Sequence, residues 1–150
     1  MRLADFPRQL EALHFGSERF DLDGFSAAFD SDDPAEYTPV LAIERAFGRL
    51  QNYIAALAHD GASVAGLHRH PPAKGEPRAQ PDFEALRDAG AITRDLCRRL
   101  IASQRARSLV GHDYVRASAA DVYAAVERLR TDAPEFLRRY ADWIEPHLLG

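Results

Sequence analysis

The sequence predicts an all-α fold, a helical bundle of four main helices with short helices between them. Three observations carry this reading. Apolar residues recur at spacings of three and four, most clearly at Val40, Ile43, Phe47, Leu50, Ile54 and Leu57. Ser31-Asp32-Asp33-Pro34 and Ser118-Ala119-Ala120-Asp121 each place a capping side chain directly ahead of such a segment. No stretch shows the strict apolar–polar alternation of a half-buried strand.

Taken in order, Asp5 can cap a first helix carrying Leu3, Phe6, Leu10 and Leu13, and Phe20, Phe25 and Phe29 pack a second, short piece. A strong helix is predicted over 36–59, ended by Asp60-Gly61. Residues 61–80, rich in glycine and proline, read as a loop longer than the usual connection of about four to six residues. Pro81-Asp82-Phe83 opens a short helix that Ala89-Gly90 closes. Thr93 to Val110 forms a longer one, with Leu96, Leu100, Ile101 and Ala102 inward and Gly111 at its end. Val122, Val126 and Leu129 follow the Ser118 cap. Pro134 cannot donate a helical hydrogen bond, so the last segment either kinks there, the favoured reading, or restarts at Thr131. Phe136, Leu137, Tyr140, Trp143 and Ile144 supply its apolar stripe.

The 150 residues suit one domain, 1–150, with enough length to bury a core. No apolar run approaches the roughly 18 residues that span a bilayer, and Met1-Arg2-Leu3-Ala4-Asp5 lacks the regions of a signal peptide. The single cysteine, Cys97, forms no internal disulfide and sits on an apolar stripe. A cytoplasmic setting is expected.

The net charge of −4 conceals an asymmetry. Residues 1–36 carry nine acids and three arginines, whereas residues 94–116 carry six arginines (94, 98, 99, 105, 107 and 116) against Asp95 and Asp113. The bland interpretation is two solvated faces of opposite sign. The functional one is a basic segment that attracts a polyanion. The excess is too small for nonspecific coating of DNA, and no DNA partner is expected. His68 and His70 invite a metal, but only Glu76 lies near them and a loop is a poor cage, so no metal site is expected.

Chemistry concentrates in Arg105-Ala106-Arg107-Ser108-Leu109-Val110-Gly111-His112-Asp113-Tyr114. Arginine neutralises phosphate bidentately, and the histidine imidazole suits proton transfer near neutral pH. Together they are the minimum equipment for metal-free RNA cleavage, with the ribose 2′-hydroxyl as nucleophile. The spacing Arg107-x4-His112-x-Tyr114 has a chance expectation of roughly 0.02 matches at these residue frequencies. Arg8 and His14 repeat an arginine–histidine spacing inside an ordinary amphipathic helix and are read as coincidence.

With this motif the chain resembles the HEPN superfamily, specifically the HepT-like ribonuclease toxins, whose signature is Arg-x4-His-x-Tyr. The resemblance covers about residues 36–145. Leu41-Ala42-Ile43-Glu44 resembles the family's second helix, and Asp121-Val122-Tyr123 resembles the start of its final one. Phe83-Glu84-Ala85-Leu86-Arg87-Asp88-Ala89-Gly90-Ala91-Ile92 resembles a recurring F-x-x-L-x-x-x-G-x-I element. Residues 1–35 match poorly and read as an N-terminal helical extension. Ser108 stands where the family usually has asparagine, and Gly111 where a β-branched residue is common.

The resemblance implies a cofactor-free, metal-independent endoribonuclease toxin of a toxin–antitoxin pair, with RNA as substrate. Arg107, helped by Arg105, holds the scissile phosphate and His112 moves the proton, with Ser108 and Asp113 in supporting places. A five-residue offset sets Arg107 and His112 about 140° apart on a continuous helix, and a homodimer with facing motifs resolves that. The family's matching tyrosine, Tyr114 here, accepts AMP from a nucleotidyltransferase antitoxin, which silences the toxin. The departures at Ser108 and Gly111 keep an alternative open: a catalytically inactive HEPN module that binds substrate or partner for a nucleotidyltransferase. A helical adapter with no nucleic-acid role is the blander possibility.

Overall fold

A computed structural model describes the backbone of residues 5–110 and 118–149, and the side chains of these residues except 107–110. The chain forms α1 (Asp5–Ser17), α2 (Leu22–Phe29), α3 (Pro34–Val64), α4 (Gln80–Asp88), α5 (Arg94–Val110) and α6 (Ala119–Leu148). No strand occurs among the described residues. The four longest helices, α1, α3, α5 and α6, are the main ones expected from the apolar periodicity, and α2 and α4 are the short ones.

The bundle is built around α3, which packs against each of the other five helices. All six residues of its predicted stripe, from Val40 to Leu57, are buried. Asp33 caps its start by accepting a hydrogen bond from the Ala35 amide at 3.0 Å, and Pro34 takes the first turn, where no amide donor is needed. α1 lies close against it: a Cβ at Gly16 would meet Ile43 Cγ1 at 2.7 Å. Phe6 and Leu13 of α1 and Phe25 of α2 belong to the same buried cluster as the helices that follow, so the N-terminal segment shares their core. α6 closes the other side, its start capped by Ser118 Oγ, which accepts from the Asp121 amide at 3.1 Å. Cys97 is buried, and burial pushes its thiol up from the ordinary range.

One expectation about a helix end needs correction. Asp60-Gly61 does not end α3, which continues to Val64. Gly61 is there for packing, since a Cβ at that position would lie 2.6 Å from Tyr140 Cε2. The stop is Gly66, with φ of 67°. There the Leu67 amide donates to the Ala62 carbonyl at 2.9 Å and the Gly66 amide to the Ser63 carbonyl at 3.1 Å, a glycine-based C-cap. The connection therefore runs over 65–79 rather than 61–80. At Pro134 the alternative of a restart at Thr131 falls away, and the favoured reading of a helix running through the proline stands: α6 is one helix of 30 residues. Ala133 and Phe136 on either side are buried, and their packing carries the helix across the missing hydrogen bond.

The Gly61 contact has a measurable consequence. Tyr140 is wedged between Phe136, stacked at 5.5 Å, and Trp143 at 6.4 Å, so its ring cannot swing away freely. Gly61→Ala should cost about 1–3 kcal/mol through overpacking, more than the roughly 1 kcal/mol gained in helix propensity. In a Tyr140→Ala background the same change should become neutral or stabilising, as read by chemical denaturation. A stabilising Gly61→Ala in the otherwise wild-type chain would show that the tyrosine contact does not hold the glycine in place.

Candidate nucleic-acid interface

The outward face of α3 carries Arg45, Arg49, Asn52, Ala56 and His59, which lie within about 80° of one another around the helix. All but the half-buried Ala56 are exposed. Each half of this ridge borders a groove, and Asn52 lines both. The first groove, of about 720 Å³, lies between α1 and α3 and is lined by Arg8, Gln9, Arg45, Arg49 and Tyr53, with Asp5 as the carboxylate. The second, of about 750 Å³, lies between the end of α3, the 65–79 connection and the start of α4. His59, Arg69, His70, Arg78, Asp82 and Gln104 are among the residues that line it.

Arg69 holds the second groove together. Its guanidinium donates to Asp82 Oδ1 at 3.0 Å, to Ser63 Oγ at 3.1 Å and to the His59 carbonyl at 3.2 Å. One arginine thus ties the connection to both α3 and α4, and Asp82, only 8% exposed, is compensated by that charge. His59 Nδ1 stands 3.4 Å from both Arg69 and Asp82 Oδ2. Without a proton it can accept from the guanidinium; with one it can donate to the carboxylate. His68 and His70 meet edge to face at 5.0 Å, and among the described residues no three histidine, cysteine or acidic side chains gather as a metal site.

α5 crosses α3 at the middle of the ridge. Gln104 donates to Gln51 Oε1 at 2.7 Å and to the Gln51 carbonyl at 3.1 Å, a buried polar junction one residue from Asn52. Beyond Gln104 the helix continues to Val110, so it carries the backbone of Arg107 and Ser108 past the crossing. Arg105 is exposed. The side chains of Arg107 and Ser108 lie outside the described residues, as do His112, Asp113 and Tyr114 entirely.

The basic segment is not one patch. Arg99 turns inward, donating to Asp132 at 3.0 Å and Glu135 at 3.3 Å. Asp132 is 3% exposed, and burial pushes its carboxyl above the usual range despite the opposing pull of Arg99. Arg98 pairs with Asp95 at 3.3 Å on the surface, while Arg94 is exposed. Arg8 and His14 do not act together either. Arg8 lines the first groove, whereas His14 Nδ1 accepts from Arg130 Nε at 3.0 Å, and Arg130 also binds Glu18 and Glu127.

The ridge is legible as the polar complement of the α3 apolar stripe, at spacings of i, i+4, i+7, i+11 and i+14, yet it carries no short motif of its own. Comparison with protein-family models, with characterised proteins and with solved structures returns no match.

Proposed function

We propose that this chain is a metal-independent endoribonuclease of the HepT-like HEPN type, acting in the cytoplasm as the toxin of a toxin–antitoxin pair. The observation that carries the proposal is Arg107-x4-His112-x-Tyr114, beginning on the last turns of α5. The position of that helix bears on it: Gln104 of α5 lines a groove together with Arg78, His59 and His70, in which Asp60 and Asp82 are the carboxylates and Arg69 is held by Asp82.

In the proposed reaction the 2′-hydroxyl attacks the adjacent phosphorus and gives its proton to His112. Arg107, with Arg105 beside it, stabilises the charge on the phosphorane oxygens. The bond from phosphorus to the 5′-oxygen breaks and that oxygen takes up a proton from the imidazolium, leaving a 2′,3′-cyclic phosphate and a 5′-hydroxyl. No metal or cofactor enters the atom balance. A homodimer brings two motifs to one cleft, and a strictly monomeric mass in solution would count against this arrangement.

Ser108 and Gly111, where the family has other residues, favour the second reading, a catalytically inactive module that binds substrate or partner for a nucleotidyltransferase. Purified protein incubated with total RNA in EDTA separates the two. The enzyme yields fragments with cyclic-phosphate ends, and the inactive module leaves the RNA intact.

The proposed control point is Tyr114, which would accept AMP from a nucleotidyltransferase antitoxin. The new phosphodiester carries about one negative charge beside the arginines at 105, 107 and 116, where the substrate phosphate belongs. Tyr114→Phe should remain toxic yet escape silencing by a cognate nucleotidyltransferase supplied with ATP and magnesium. Mass spectrometry should place added AMP on the wild-type peptide containing Tyr114, and modification mapped elsewhere would refute this assignment.

A further inference from the structure

What sets the cations of the α1–α3 groove apart is that three exposed arginines line one groove. Arg87, Arg98, Arg99, Arg130 and Arg139 each contact a carboxylate within 4.0 Å. Among the described residues no such ion pair involves Arg8, Arg45 or Arg49, nor Arg19, Arg78, Arg94, Arg105, Arg128 or Arg138, and all nine are exposed; only the first three line a common groove. A chain of net charge −4 therefore gathers three arginines along one groove with Asp5 as its lining carboxylate. A cleft lined mainly by one sign of charge concentrates the field and draws in counter-charged ligands.

We propose that this groove and the α3 ridge leading from it form a track for single-stranded RNA. Arg8, Arg45 and Arg49 contact successive phosphates, and the strand passes over Asn52 toward the second groove, which Gln104 of α5 also lines. Arg45 and Arg49 are one turn apart, about 6 Å along the axis, comparable to the separation of neighbouring phosphates. From Arg45 to His59 the ridge extends about 21 Å, room for a few nucleotides. Phe15 lies on the face of α1 that carries Arg8 and Ala12 and is 73% exposed, an uncovered ring suited to stacking on an unpaired base. Asn52 and Gln9 supply hydrogen bonds to base edges that a duplex would hide. Arginines combined with an exposed aromatic favour a single strand over an acidic protein, which needs no stacking platform. The choice of RNA rests on the ribonuclease reading, whereas the track rests on the groove.

The test measures binding of a fluorescent 2′-O-methyl oligoribonucleotide, which lacks the free 2′-hydroxyl, across a salt series. Arg45→Ala/Arg49→Ala should weaken binding and flatten the dependence of log K on log salt by about 0.7 for each lost phosphate contact. Phe15→Ala should weaken binding with the slope unchanged. Arg98→Ala, which removes an exposed cation off the ridge, should change neither. Unaltered affinity and slope in the double variant would overturn the track, even if the protein proves to cleave RNA. A slope that falls as expected in a protein that cleaves nothing would uphold the track and sink the ribonuclease reading instead. Displacement of the oligonucleotide by polyglutamate at equal charge concentration, with Phe15→Ala silent, would overturn the proposal in favour of an acidic protein partner.

Discussion

Arg99→Ala is expected to cost about 3–5 kcal/mol at neutral pH, a large share of the roughly 5–15 kcal/mol that holds a domain of this size folded. Asp132, 3% exposed, keeps Arg99 Nε at 3.0 Å as its counter-charge, and its Oδ2 has no hydrogen-bond partner among the described residues. Removing the guanidinium strands a buried carboxylate and takes one of two arginines from Glu135, which Arg99 holds at 3.3 Å and Arg139 at 3.2 Å. The sign of the pH dependence follows from burial, which raises the Asp132 carboxyl above its unfolded value. Its contribution to stability is fully present below the unfolded pKa and is lost as pH rises through the folded one. Without Arg99 the folded value climbs further, so the variant should regain part of its stability on mild acidification. Asp132→Asn in the same background should also recover stability, because the stranded charge is gone. Arg98→Ala, which breaks a pair exposed on both sides, should stay within about 0.5 kcal/mol. Unfolding curves at two pH values decide it. If Arg99→Ala melts with the wild type, the guanidinium is not committed to Asp132 and returns to the pool of candidate phosphate ligands.

The contrast between Arg99 and Arg45 marks where sequence reasoning stops. Helical periodicity was sufficient to find the buried stripe of α3, the capped start of α6 and the buried Cys97, because each depends on neighbours within a turn or two. It could not choose between Gly61 and Gly66 as the end of α3. Both are glycines near the end of one apolar pattern, and Tyr140, on another helix, reserves the first for packing. Charge behaved the same way. The arginines at 94, 98, 99 and 105 read as one basic segment, yet Arg99 answers to Asp132, 33 residues away, and faces inward. His14 likewise is occupied by Arg130, a contact across 116 residues that spacing cannot reveal. The α1–α3 groove needs two helices brought together, so its arginines, unremarkable singly, acquire meaning only in the fold.

His112→Ala is expected to slow RNA cleavage by about 10²–10⁴-fold, the usual contribution of a positioned proton-transfer group. Arg107→Ala should have an effect of comparable size, by removing the charge that offsets the phosphorane. Neither change should shift melting appreciably. α5 is anchored upstream of Arg107 by Leu96, Leu100, Ser103 and Gln104, all buried. α6 begins at its own Ser118 cap, so its start does not depend on residue 112. His14→Ala provides the opposite signature: it removes an acceptor from the Arg130 cluster that ties α1 to α6, so it should lower stability while leaving the single-turnover rate at saturating RNA unchanged. The two histidines thus exchange effects, one carrying rate and the other fold. Rates measured in EDTA, with melting curves for each variant, test the assignment. A His112→Ala protein that still cuts within a few-fold of wild type would refute the proton-transfer role, and an equal loss of rate in His14→Ala would mean that the motif at the end of α5 had been singled out wrongly.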